Sequence, residues 1–198
     1  MWRTSLKIKE VLETPLQYLH TFRIQYEDKE GKGKKWELVS RGDQDRLEEE
    51  LQGKRFTDGS MIVAWDETKE HVVLVKDFRV VAGHDVYSFP AGLQDQGESV
   101  LEAATREFKE ETGLDLHPEG IDQARYTSVG LTNERVNVVY GRFSGEFSTA
   151  FQESSERIVP LLVNKEEAQR LLLEEDVTIR TAFILRAFFN LPLYTHTV

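Results

Sequence analysis

The sequence predicts an α+β fold or an α/β/α sandwich built around a mixed sheet. Three observations carry this. Short strand-like runs bounded by turn residues lie on both sides of residue 100. A single strongly signalled helix separates the two sets. Two helix-patterned segments close the chain.

Taken in order, residues 4–12 and 16–26 alternate apolar and polar positions in part, and both read as strands. Residues 28–35, DKEGKGKK, read as a turn tip, and a third strand runs from Trp36 to Val39. Lys32, Lys34 and Lys35 fall on that tip, where Asp28 and Glu30 offset much of their charge. Three strands alone are poorly stable, so this sheet must pack on something. Residues 43–55 carry only Leu47 and Leu51 as an apolar pair and read as a connector with room for a short helix. The predicted division is therefore 1–55, a small antiparallel sheet with its connector, and 56–198, the main domain.

Within the main domain, Ser60–Trp65 and His71–Lys76 form a hairpin around the polar turn DETKE. Residues 82–85 read as a loop, and Val86–Phe89 lead to Pro90. Pro118 and Gly120 mark a further loop. Tyr126–Val129 is a short predicted strand, and Arg135–Phe143 a longer one. Arg157–Val163 is a strand whose Pro160 belongs at an edge or bulge. The closing helices are Lys165–Glu175, capped by Asn164, and Thr178–Phe189. The last is apolar on more than one face and should pack deep or at a subunit contact.

The central helix lies in Gly92–Leu114, GLQDQGESVLEAATREFKEETGL. Ser99 and Glu102 form a capping-box pattern, and Gly113 suits the left-handed position that ends a helix. Leu101, Ala104 and Phe108 recur at helical spacing and should face the core. Glu98, Glu102, Glu107, Glu110 and Glu111 are carboxylates, the last three within one turn. Like charges at that spacing repel by about 0.2–0.5 kcal/mol per pair. A divalent cation gives such a cluster a purpose, because hard ions take oxygen ligands and bridge carboxylates to phosphate. Glu107 and Glu111 project from one flank and are the leading ligand candidates, with Glu110 third. Arg106 is placed to reach back to Glu98 or Glu102.

Composition narrows the partners. The 198 residues carry a formal net charge of −10, which opposes broad binding to nucleic acid or an anionic membrane. There is no cysteine, hence no thiol chemistry. No apolar run approaches the ~18 residues of a membrane span, and the N-terminus lacks the apolar core of a signal peptide. A cytoplasmic location is expected. The five histidines share no metal-ligand spacing, and only His84, near the central stretch, merits attention.

The central stretch resembles the Nudix box, Gly-x5-Glu-x7-Arg-Glu-U-x-Glu-Glu-x-Gly-U, with U a bulky apolar residue. Gly92, Glu98, Arg106, Glu107, Phe108, Glu110, Glu111, Gly113 and Leu114 fill it without a gap. The resemblance implies the Nudix α/β/α sandwich over roughly residues 56–198. It also implies a Mg²⁺-dependent hydrolase, with Mn²⁺ as the other ion, in which the Ala91 carbonyl joins the glutamates as a metal ligand. Glu98 and Arg106 then act as scaffold, with Gly92 and Gly113 as structural positions of the motif.

The flanks narrow the subgroup. Asp77-Phe78-Arg79 resembles the Gln-Tyr/Phe-Arg segment of ADP-ribose pyrophosphatases and related nucleoside-diphosphate-sugar hydrolases, whose arginine contacts substrate. Phe89-Pro90-Ala91-Gly92 resembles their lead-in to the box, and Ser128–Glu134 their Ser-Pro-Gly-x-Thr/Ser-x-Glu loop. Arg41 matches the arginine that closes their N-terminal sheet. The resemblance thus makes Arg79 and Arg41 substrate arginines and sets Glu134 near the terminal sugar. It makes Glu156 or Glu153 the general base, and implies a homodimer with exchanged N-terminal sheets. Tyr18, Phe22 and Trp36 are the candidates for stacking on a base. Two departures stand out: Val129 replaces the loop proline and Asp77 the usual glutamine. They weaken ADP-ribose as the specific substrate and leave the nucleoside-diphosphate-sugar class. The competing functions are a nucleoside triphosphate or dinucleoside polyphosphate hydrolase and a non-catalytic nucleotide-sensing module.

Overall fold

The computed structural model describes residues 7–14, 16–152 and 157–194. They form two compact units. One comprises the described residues up to Asp58 together with Ala124–Val136; the other comprises Gly59–Gln123 and the described residues from Asn137 onward.

The first unit holds the small sheet, in which β1 (Lys7–Thr14), β2 (His20–Glu27) and β3 (Gly33–Ser40) pair in that order, antiparallel throughout. Strand β3 starts earlier than the sequence predicts. Lys34 and Lys35 are strand residues opposite Tyr26 and Gln25 rather than part of the tip. The turn stays short because the Asp28 carboxylate accepts from the backbone of Glu30 and Lys32 while Gly31 takes φ 77°. The connector does form a helix, α1 (Gln44–Leu51), capped by Asp43, whose side chain accepts from the Arg46 backbone. Leu47 is buried and Leu51 exposed. Segment 124–136 is fastened to this unit at several points. Val39 N–H donates to the Leu131 carbonyl at 3.0 Å, and Asn133 donates to Glu50 at 2.6 Å. Asp58 accepts from both Arg46 and the Arg135 backbone.

The second unit is built on a mixed sheet ordered β10 (Ile158–Val163), β5 (Val72–Arg79), β4 (Gly59–Trp65), β9 (Arg135–Ser144) and β8 (Asp115–Tyr126). Two short strands complete it: β6 (His84–Ser88) on β5 and β7 (Ala91–Leu93) on β4. Side chains of a strand alternate between faces, and here they separate into two cores. Met61, Val63, Trp65, Val72 and Leu74 pack with Ala168 and Leu171 of α3 (Lys165–Glu174) and Leu185 of α4 (Ile179–Phe188). Ile62, Ala64, Val73 and Val139 pack with Ala104 and Phe108 of α2 (Val100–Thr112). The predicted three-layer α/β/α sandwich is therefore the fold of this unit. Each fully buried aliphatic or aromatic side chain contributes about 1.5–3 kcal/mol, and the central strand β4 is buried on both faces, as such a layer requires.

Four expectations need correction. Pro118 and Gly120 do not end a strand; they lie inside β8, which runs unbroken for 12 residues. β8 is the last strand of the sheet, and an edge strand tolerates a proline that cannot donate. The short strand expected at Tyr126–Val129 is the end of β8 followed by a turn, with Leu131 and Thr132 both donating to the Ser128 carbonyl. Leu101 is exposed; Val100 makes the apolar contact of the first turn of α2. Finally, of the two expectations for α4, deep packing holds on one side only, with Ile179 and Phe183 exposed.

Candidate active site

The second unit places α2 behind β7, and the local sequence fixes both. Ser99 accepts from the Glu102 backbone while the Glu102 carboxylate accepts from Ser99 N–H, closing the capping box. Gly113 ends the helix at φ 77°, and its N–H donates to the Lys109 carbonyl.

Arg106 organises the ground around the helix. Its Nε and Nη2 grip both oxygens of Glu98 at 2.9 Å, and Nη2 also donates to the Leu93 carbonyl at 3.1 Å. Nη1 donates to Glu107 at 2.9 Å and to Glu110 at 3.1 Å. A guanidinium has five N–H groups, and all five are matched here. Of the two partners left open by the sequence, Glu98 is the one engaged, while Glu102 serves the cap. The Arg106 hydrogen bonds hold the Glu98 carboxyl below its ordinary value of 4.5, helped by the Asp95 N–H and opposed by desolvation. The same pairing, led by Glu98, raises the pKa of Arg106.

A carboxyl whose pKa is depressed by folding adds stability above its unfolded pKa and loses it as pH falls through the lower native value. The gap in melting temperature between the wild type and Glu98→Gln should therefore narrow on acidification below pH 4.5. A gap that stays constant from neutrality to pH 3 would contradict this pairing.

Glu107 and Glu111 line a cleft of about 430 Å³, together with Asp77, Phe78, Arg79, Ala91, Gly92 and Arg157. Glu111 is 6% exposed and accepts from the Ala91 N–H at 3.1 Å. The Glu107 carboxylate lies over Gly92 so closely that a Cβ there would stand 1.8 Å from its carboxyl carbon. A side chain at this position would therefore force the Glu107 carboxylate to move, whereas the backbone angle of Gly92 sets no such demand. Glu110, held by Arg106, is not among the cleft-lining residues. Among the described residues, no three acidic or histidine side chains are grouped so as to hold an ion by themselves.

The remaining predicted site residues divide as follows. Arg79 lines the cleft, with its Nε 2.7 Å from Asp77 Oδ2. Arg41 and Glu134 come together in the first unit at 2.8 Å, and Thr127 also donates to Glu134. Glu153 and Glu156 lie outside the described residues. Phe22 is buried, whereas Tyr18 and Trp36 are exposed. His84 is exposed, with Nε2 3.5 Å from Asp176. One cleft residue escaped the sequence analysis: Arg157, just before β10. Its signal is a lone cation at a strand start, next to a loop whose carboxylates are the more conspicuous groups.

Known proteins resemble this chain. A NUDIX domain profile matches residues 55–183. The ADP-sugar pyrophosphatase of Mus musculus is 34% identical over 123 residues, covering 61% of this chain and 53% of that protein. A Nudix hydrolase of Schizosaccharomyces pombe is 30% identical over 119 residues, covering 59% and 54%. The chain thus spans about half the length of the curated relatives it matches. The crystal structure of an ADP compounds hydrolase superposes with a TM-score of 0.67 over 93% of each chain, at 19% identity, a likeness of fold. With the motif filled at every position, and its helix, glycine and arginine in the geometry just described, the profile match over more than half of the chain decides the matter: this chain belongs to the NUDIX domain family.

Proposed function

We propose that the chain is a divalent-metal-dependent pyrophosphohydrolase that splits a nucleoside diphosphate linked to a sugar into a nucleoside monophosphate and a sugar phosphate. The observation that carries this reading is one cleft shared by two carboxylates of the box helix and two arginines. The ADP-sugar pyrophosphatase relative supports the substrate class.

The cleft fits a hard cation. Its anionic donors are all oxygens, the Gly92 cradle leaves room for the Glu107 carboxylate, and Glu111 is a buried carboxylate. Mg²⁺ is commonly held by one or two carboxylates and completed by water and substrate phosphates. Glu107 and Glu111 would hold it, with the Ala91 carbonyl, and Glu110 is the weaker third candidate. Mn²⁺ suits the same donors. When bound, such an ion neutralises phosphate oxygens and makes a bound water more acidic. The chain itself supplies orientation and charge: guanidinium groups suit phosphate through paired N–H donors. Glu153 or Glu156 is the proposed proton acceptor. The family resemblance also underlies a proposed homodimer with exchanged N-terminal sheets. Exposed Trp36 and Tyr18 supply apolar area for such a contact.

The test is product identification with Mg²⁺ and a panel of ADP-ribose, UDP-glucose, GDP-mannose, CDP-choline, NADH and nucleoside triphosphates. At least one nucleoside-diphosphate sugar should be cleaved with kcat/KM at or above about 10⁴ M⁻¹s⁻¹. Turnover confined to triphosphates would replace this reading with a triphosphate hydrolase. Tight binding of ADP-ribose without products would replace it with a sensor.

A further inference from the structure

We propose that Arg157 is the arginine that grips the substrate's diphosphate in this cleft, the part that sequence comparison assigns to Arg79. The inference rests on the reading of the cleft as a diphosphate site. Two guanidinium groups line it, against the three carboxylates of Asp77, Glu107 and Glu111. Their situations differ. Arg79 is matched within its own strand, its Nε 2.7 Å from an Asp77 carboxylate that is only 15% exposed. Where the resembling hydrolases carry a neutral glutamine, this chain carries a charge that answers its own arginine. Arg157 has no carboxylate partner among the described residues and is exposed to the cleft. Of the two cleft arginines, it is the one whose charge no described carboxylate answers.

The position of Arg157 is built. Ile158 pairs with Asp77 as β10 begins, which sets Arg157 beside Phe78, and the Phe78 N–H donates to the Arg157 carbonyl at 3.4 Å. The guanidinium carbon lies 5.9 Å from the centre of the Phe78 ring, within the range of a cation–π contact. Gln152 donates at 3.0 Å to both the Ile158 and the Glu111 carbonyls. One amide therefore ties the start of β10 to the helix that carries the cleft carboxylates. Cation and carboxylates are held in a common frame. An aromatic face that supports one side of a guanidinium leaves its N–H edge available for phosphate oxygens.

The probe is α,β-methylene-ADP, a diphosphate whose bridging carbon resists hydrolysis, titrated calorimetrically in Mg²⁺. Arg157→Ala should weaken binding at least fivefold, with Arg157→Lys intermediate and Arg79→Ala losing less than Arg157→Ala. Asp77→Asn should tighten binding by releasing Arg79. With the best substrate of the panel, Arg157→Ala should raise KM by more than it lowers kcat. Because Arg157 is exposed, its melting temperature should not change. A loss under fivefold in Arg157→Ala, or a larger loss in Arg79→Ala, overturns the assignment. A wild-type protein that does not bind the probe overturns the diphosphate reading itself, so the two failures are distinct.

Discussion

Glu111→Gln is expected to lower kcat about a thousandfold or more, a loss of roughly 4 kcal/mol of transition-state stabilisation, in a protein that stays folded. The side chain is 6% exposed at the edge of the cleft, and one oxygen accepts the Ala91 N–H. Glutamine keeps the shape and a carbonyl oxygen for that hydrogen bond. What it removes is a negative charge from a buried place. With the shape and that hydrogen bond kept, the fold should be retained. The charge removed is the one proposed to hold an ion facing the diphosphate. The measurements are steady-state turnover beside a thermal melt, and Mn²⁺ binding followed by electron paramagnetic resonance. Turnover within threefold of the wild type would remove Glu111 from the proposed metal site. Loss of the fold would instead make it a structural carboxylate.

What was legible in the sequence is what is decided locally. The cap at Ser99, the stop at Gly113 and the Glu98–Arg106 pairing are all set by residues a few positions apart, and the structure has each of them. The same holds for the division of strands and helices, because alternation and helical period report burial directly. The misreadings arise where strand neighbours decide. Pro118 and Gly120 look like a loop until β8 is known to be an outer strand of its sheet. Lys34 and Lys35 look like a charged tip until β2 is seen to hold them in register. Leu101 has the right spacing for the core, but Val100 takes the contact. Arg157 gained its place from the pairing of Ile158 with Asp77, 81 positions away in the chain. No pattern within its own loop announces that.

Gly92→Ala should cost nearly as much activity as loss of the carboxylate, and it tests the frame rather than the ligands. The added methyl carbon would stand 1.8 Å from the Glu107 carboxyl carbon and about as close to both its oxygens. Nothing bonded to neither atom can remain there, so the carboxylate must swing away. Two ties are then at risk: the Glu107–Arg106 hydrogen bond at 2.9 Å and the placement of Glu107 in the cleft. Gly92 is also paired with Ser60 on β4, so the strand has limited freedom to retreat. Alanine meets no left-handed backbone here, and the fold should lose only about 1–3 kcal/mol, the usual cost of overpacking. The expected result is kcat lower by about a hundredfold or more, the scale of a misplaced catalytic group, with cooperative unfolding preserved. A second substitution separates the causes. Glu107→Asp in the Gly92→Ala background shortens the side chain and should recover part of the lost turnover if the clash is responsible. If Gly92→Ala keeps near wild-type kcat, the carboxylate has a second working position, and the close approach at Gly92 is not what sets the chemistry.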